Sequence, residues 1–316
     1  MASLGVLIAC ALAQHGVAGG TDHTITLTSS GVARTAILHL PPLPSPAGDT
    51  RSVALVANLH TLAEGAAQEE RLTGMSALAD AEGFAVVYPD GLLAGNFEPW
   101  LPLGVGKSWN GGACCPKACS KGVSDVQFMR DLVPFAAEAV GNLTAGALRV
   151  DRRRVYATGA SNGAFMVNRV GCEAPGLFAA IAPLSGPIAN GTSMVWKADP
   201  YPCPTPARPV PTLYFHGTKD PLVPFGGKRS MGFPSVAEYV ATRRALNGIA
   251  PGDAGKVVFR NGSVTCTAYG TAAQNVTFCE HGAGHCWPGS TAQGKCTMDI
   301  SATPHIWEFF SRYSLA

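Results

Sequence analysis

The run RVYATGASNGAFMVNRVGC, from Arg154 to Cys172, decides how the rest of the chain is read. Its centre, Gly159-Ala160-Ser161-Asn162-Gly163, fits the pattern G-x-S-x-G. Arg154 to Thr158 reads as a short buried strand, and Ala164 to Cys172 has the apolar content of a helix. That is the strand, turn and helix setting the pattern requires. The two glycines permit a backbone sharp enough to stand a serine side chain at the carboxyl end of the strand while strand and helix pack closely around it. Ser161 is expected to be a nucleophile, provided that an acid and a base follow in the right order.

Upstream of this run, Thr24 to Ser29 and Ala33 to Leu40 flank Ser30-Gly31 and predict an N-terminal hairpin. Pro41 to Asp49 is a Pro-rich connector, and Ser52 to Leu59 is a valine-rich apolar run, as expected for a strand covered on both faces. Glu69 to Ala81 carries Leu72, Met75, Leu78 and Ala79 at helical spacing, ends near Gly83 and hands over to a strand at Phe84 to Tyr88. From Gly91 to Val123 the periodicity disappears, and Gly, Pro, Trp100, Trp109 and three cysteines take its place. The reading is a disulfide-stapled insertion. Ser124-Asp125 then caps a helix with Val126, Met129 and Val133 on one face, which Pro134 either kinks or ends.

Downstream come strands at Ala179 to Pro183 and Val210 to Phe215, a helix around Ser235 to Leu246, and strand candidates at Val264 to Tyr269 and Asn275 to Cys279. Thr303-Pro304 supplies the cap and first-turn proline of a closing helix. Buried strands alternating with helices predict an α/β fold with a single doubly wound, mostly parallel sheet.

The 316 residues are 14% charged and 47% apolar, and the formal charge is +2. There is no basic surplus to hold a phosphate backbone, so nucleic acid is not an expected partner. Leu4 to Ala13 is a short apolar run whose Ala11-Leu12-Ala13 fits a small-x-small cleavage pattern, which reads as a secretory signal over residues 1–13 preceding one domain over 14–316. That run is too short to span a bilayer, and no apolar stretch of ~20 residues occurs elsewhere, so no membrane association is expected. Beyond Cys10 the chain holds Cys114, Cys115, Cys119, Cys172, Cys203, Cys266, Cys279, Cys286 and Cys296, a density that suits an oxidising compartment. Spacing alone leaves their connectivity open. The expected pairs are Cys172 with Cys203, Cys266 with Cys279, Cys286 with Cys296, and Cys119 with one of the vicinal cysteines, leaving one thiol over. Asn142, Asn190, Asn261 and Asn275 begin N-x-S/T sequons, glycan acceptors in a eukaryotic host.

A serine hydroxyl needs an adjacent imidazole to take its proton as it attacks. His285, in GAGHCWPG, lies on a Gly-rich loop after the last strand candidate; Asp220, in FHGTKDPLVPF, follows the strand ending at Phe215. The order Ser161, Asp220, His285 is that of an α/β-hydrolase triad, in which Asp220 holds the histidine tautomer and stabilises the imidazolium. Asp220 before Pro221 also suits a plain turn, and His216 could compete as base, although its place at the end of a buried strand suits a structural hydrogen bond better. His281 and His285 stand four apart beside Cys279 and Cys286, but oxidised cysteines argue against a metal cluster. The oxyanion of a tetrahedral intermediate needs two backbone donors. Asn162, directly after the nucleophile, is one; Thr61 or its neighbour Leu62, following the strand that ends at Leu59, is the other.

The pieces LH at Leu59, VVYPDG from Val86, SWNGGACC from Ser108, SDVQFMRDL from Ser124, RRVYATGASNGAF from Arg153, FAAIAPLSG from Phe178, RPVPTLYFHGTKDPLVPF from Arg208 and GAGHCWPG from Gly282 span most of the chain. Together they resemble the secreted esterase family of polyhydroxybutyrate depolymerase-like esterases and the related feruloyl and acetylxylan esterases. The resemblance implies an α/β-hydrolase with the triad Ser161, Asp220 and His285, acting on carboxylic esters of polysaccharides or polyesters without metal or organic cofactor. It also implies that Trp109 and Trp287 line the substrate surface. One departure stands out: Thr61 occupies the place after the oxyanion-loop histidine where the family usually has glycine. If that side chain closes the hole, the chain is instead an inactive extracellular protein that binds glycan or polymer.

Overall fold

The computed structural model describes residues 19–44, 49–96, 105–114, 124–194 and 198–316. Residues 1–13, expected to be a secretory signal, and Cys115 and Cys119 lie outside the described residues. Ten strands form one mixed sheet in the order β1-β2-β4-β3-β7-β8-β9-β12-β11-β10. Six of them, β4 (Ala85–Pro89), β3 (Arg51–Leu59), β7 (Leu148–Ala160), β8 (Ala180–Leu184), β9 (Thr212–Gly217) and β12 (Val276–His281), run parallel at the centre. Antiparallel strands close both edges: β1 (Thr21–Ser29) and β2 (Val32–Leu40) on one side, β11 (Val264–Tyr269) and β10 (Lys256–Asn261) on the other. The N-terminal hairpin and the parallel centre agree with the sequence reading. The strand β10 is an addition to it, since its residues are mostly exposed and carry no buried run.

Helices α3 (Asp125–Leu143), α4 (Asn162–Glu173) and α5 (Val236–Leu246) cover one face of the sheet; α1 (Ala66–Thr73), α2 (Met75–Glu82) and α6 (Ala302–Phe310) cover the other. Alternate residues of each central strand serve the two layers: Val53, Leu55, Ala57 and Leu59 pack with α3 and α4, while Ala54 and Val56 pack with α1, α2 and α6. Such strands must be apolar on both faces, and that is why β3 and β8 read as continuous runs.

Several boundaries differ from expectation. The single helix expected over Glu69 to Ala81 is two, because Gly74 takes a left-handed conformation (φ +59°) that ends α1 and begins α2. Pro134 does not end α3, which runs 19 residues with the proline inside. Ser301, not Thr303, stands at the cap of α6. The aperiodic stretch after Gly91 contains a small antiparallel pair, β5 (Leu92–Asn96) with β6 (Val105–Ser108), too short to show alternation.

The disulfides Cys172–Cys203, Cys266–Cys279 and Cys286–Cys296 are those expected. Cys266 and Cys279 face each other directly in the register of β11 and β12. Cys114 is disulfide-bonded as well.

Candidate active site

Ser161, Asp220 and His285 follow the carboxyl ends of β7, β9 and β12, the edge where open α/β sheets place their ligands. Ser161 follows β7 directly and occupies the cap position of α4 with φ +53° and ψ −119°. A serine at positive φ is held against its steric preference, at a cost on the order of 1–3 kcal/mol. The surroundings impose it. The Ser161 amide donates to Leu184 O (2.9 Å) at the end of β8, and its carbonyl accepts from Phe165 N (3.0 Å) in α4. A Cβ on Gly159 would lie 2.5 Å from Leu59 O, and one on Gly163 only 2.1 Å from the same oxygen. The two glycines of the pattern thus let the end of β3 press against the elbow, and the residues after Leu59 come to lie beside Ser161.

Asp220 and His285 are brought together by continuing the pairing of β9 and β12 past the strand ends. Thr218 N donates to His281 O (2.8 Å) and Lys219 N to Ala283 O (3.1 Å), so the two loops run side by side. Gly217 allows this approach, since a Cβ there would meet Ala283 O and Gly284 O at 2.4 Å. His285 Nδ1 donates to Asp220 Oδ2 at 2.7 Å, with the carboxylate fully buried and the imidazole 15% exposed. The other oxygen, Asp220 Oδ1, accepts from Leu222 N (2.9 Å) and Val223 N (2.8 Å). Burial alone would raise the Asp220 carboxyl. The hydrogen bond and charge of His285, the Val223 amide and His216 outweigh it and leave the group below its usual range. With Nδ1 committed to a carboxylate, the neutral His285 ring carries its lone pair on Nε2.

The loop after β3 is organised by His60. Gly91 N donates to His60 Nε2 (2.9 Å), so the ring proton sits on Nδ1, which donates to Thr61 O (2.7 Å). Full burial lowers the His60 pKa to about 4 and keeps the ring neutral. Because a trans peptide points its C=O and N–H in opposite directions, the Leu62 amide faces away from the His60 ring. Close by, the carboxyl of Glu69 is fully buried, and desolvation, together with nearby Glu64, pushes it well above the carboxylate range.

Trp109 and Trp287 are 0% and 1% exposed, which corrects the expectation that they present a substrate surface. Trp109 is a tie. Its Nε1 donates to His60 O (3.0 Å), its backbone amide donates to Asn162 Oδ1 (2.7 Å), and its carbonyl accepts from Asn162 Nδ2 (3.0 Å). Asn162 therefore uses its side chain to hold residue 109, while its own backbone amide belongs to the first turn of α4, where N–H groups have no partner within the helix. Trp287 packs in the layer under α6, its Nε1 donating to Thr303 Oγ1 (3.0 Å).

His216, weighed as a rival base, is fully buried and bonded through both nitrogens, to Tyr214 OH (2.6 Å) and Val223 O (2.8 Å). The sequence reading gives His60 only as the oxyanion-loop histidine and gives Tyr214 no role. Only the histidine directly after a buried strand, at position 60, offers a sequence signal.

No protein-family model matches the chain. Among curated proteins, NocK of Nocardia uniformis subsp. tsuyamanensis, which carries an esterase designation, is 30% identical over 301 residues, 87% of this chain and 76% of that protein. Feruloyl esterase B of Piromyces equi is 32% identical over 184 residues, covering 58% of this chain and 29% of the relative. Among solved structures, the acetyl xylan esterase of Aspergillus awamori superposes with a TM-score of 0.58 at 15% identity, covering 93% of this chain and all (100%) of that one. An S-formylglutathione hydrolase of Agrobacterium tumefaciens gives a TM-score of 0.52 at 14% identity over 96% of this chain and 99% of its own. These structural likenesses carry the α/β-hydrolase fold.

Proposed function

Since the chain belongs to the esterase family of the α/β-hydrolase fold, a group of serine carboxylic-ester hydrolases that includes feruloyl and acetylxylan esterases, we propose that it cleaves such esters through Ser161, His285 and Asp220. The observation that carries this reading is the 2.7 Å bond from His285 Nδ1 to a buried Asp220, at the sheet edge where Ser161 stands in its strained elbow. Ser161 Oγ attacks the ester carbonyl carbon as His285 Nε2 takes its proton; the tetrahedral oxyanion collapses, and the alcohol leaves with the proton that His285 returns. Water, activated by the same imidazole, then releases the acid from the Ser161 acyl-enzyme. We assign the oxyanion donors to the backbone amides of Asn162 and Leu62. Of Thr61 and Leu62, the two expected candidates for the second donor, Leu62 is favoured because the bond from His60 to Thr61 O turns the Leu62 N–H away from the His60 ring.

The substrates we propose are feruloyl or acetyl esters of plant-type polysaccharide, the acids and polymers named by the relatives. Three disulfides among the described residues support release into an oxidising, extracellular space. A fluorophosphonate probe is expected to label Ser161, and Ser161→Ala is expected to lose both labelling and turnover; a variant that still hydrolyses nitrophenyl acetate sinks the assignment. Methyl ferulate, acetylated xylan and a hydroxybutyrate oligomer, compared by kcat/KM, rank the acyl groups. Binding of xylan with no cleavage of any ester marks an inactive binding protein instead.

A further inference from the structure

Behind the Asp220 and His285 pair lies a second buried chain of hydrogen bonds that the reaction does not consume. Tyr214 and His216 both sit on β9, two residues apart and on the same face. The Tyr214 hydroxyl is 2.6 Å from His216 Nδ1, and His216 Nε2 is 2.8 Å from Val223 O. A carbonyl only accepts, so the proton of a neutral ring is on Nε2, Nδ1 is the acceptor, and the phenol donates. The same Nε2 is 3.6 Å from Asp220 Oδ2, the oxygen that binds His285. Val223, whose carbonyl His216 holds, gives its amide to Asp220 Oδ1.

We infer that Tyr214 and His216 form a positioning pillar for the acid of the triad: the phenol fixes the imidazole tautomer, and the imidazole fixes the turn over residues 220–223 that clamps Asp220. The inference rests on the triad reading above. The pillar is fully buried at both members. Its titratable neighbours are Asp220 and His285 on the loops, His281 at the end of β12, and Tyr239 of α5, whose ring lies 4.3 Å from that of Tyr214. Desolvation lowers His216 to about 4, against the pull of the Val223 carbonyl and the Asp220 charge, which keeps a neutral dipole beside Asp220 rather than a competing cation.

Losing the pillar has two opposed effects on His285. Removing an N–H dipole 3.6 Å from Oδ2 strengthens the carboxylate, whereas releasing the turn loosens the 2.7 Å charge-assisted bond. The shorter contact dominates. His216→Leu is therefore expected to lower kcat by on the order of 10²-fold with KM nearly unchanged, and to move the acid limb of kcat/KM to lower pH by about one unit. His216→Gln, which restores a donor toward Val223 O, recovers most of both. Tyr214→Phe, which removes one hydroxyl and no charge, moves the limb the same way by less. In the unmodified protein, long-range proton–nitrogen spectra of 15N-labelled histidines are expected to show His216 as the Nε2–H tautomer from pH ~5 to ~8.

An imidazolium or an Nδ1–H tautomer there, or a His216→Leu protein with an unmoved acid limb, overturns the pillar. Failure of the triad itself shows differently: Ser161→Ala then keeps its fluorophosphonate labelling and turnover, whatever His216 does.

Discussion

Trp109→Phe keeps a large ring between His60 and Phe128 and removes one donor, the indole N–H to His60 O. Leaving that buried carbonyl without a partner costs about 1–3 kcal/mol. Because His60 sets the Leu62 amide, kcat is expected to fall about tenfold while KM changes little, a split measurable with any nitrophenyl ester; unchanged kcat would show that the tie plays no part in turnover. The proposed triad of Ser161, Asp220 and His285 is readable in the sequence because a glycine-framed elbow followed in order by a candidate acid and a candidate base leaves local signatures. His60, Tyr214 and Trp109 act through contacts such as residue 109 with residues 60 and 162, which no local pattern records. A tryptophan in an aperiodic stretch looks the same whether it faces a ligand or ties two loops together.

At the level of elements, periodicity located strands and helices but not their interruptions. Leu72, Met75, Leu78 and Ala79 keep helical spacing across Gly74, so the break between α1 and α2 depends on one backbone conformation and not on the pattern. Pro134 is ambiguous in the sequence for the opposite reason: local chemistry disfavours it, and burial of Leu132, Val133 and Ala136 carries the helix through. The loop bearing His285 is framed by two elements of covalent structure. Cys279 ties its start to β11 through Cys266, and Cys286 ties its end to Cys296. Cys266 and Cys279 are buried at 2% exposure each, whereas Cys286 and Cys296 are half-buried. Mild reductant is thus expected to open Cys286–Cys296 first, removing about 2–4 kcal/mol of restraint. Activity should fall before far-ultraviolet circular dichroism changes, with alkylation mapped to those two thiols. Full activity with both alkylated would count against the staple.

Across the whole molecule, three buried histidines, His60, His216 and His281, have pKa values lowered to about 4, in each case chiefly by burial. Among the described residues, neither ring nitrogen of His281 has a hydrogen-bond partner. An unfolded histidine takes up its proton as pH falls through about 6.5, while these wait until about 4, so within that window the unfolded chain binds more protons. Their contribution is fully present above about 6.5 and is lost on acidification, each histidine removing up to about 1.4 kcal/mol per pH unit. His39 has the opposite sign: despite burial, bonds to Asp22 and Asp80 raise it, so its contribution holds below about 6.5 and is lost as pH climbs through its folded value. Denaturant midpoints are expected to peak near neutrality and drop steeply from pH ~6.5 to ~4.5; a flat profile there would mean that the three rings are protonated in the fold. The two bonds that bracket the His285 loop also have a meaning for the cell that makes the chain. Neither is expected to persist in a reducing compartment, which leaves the loop that carries His285 untied there. Under the triad proposed above, ester cleavage is then expected only after oxidation, so the redox state of its surroundings sets when the chain can act.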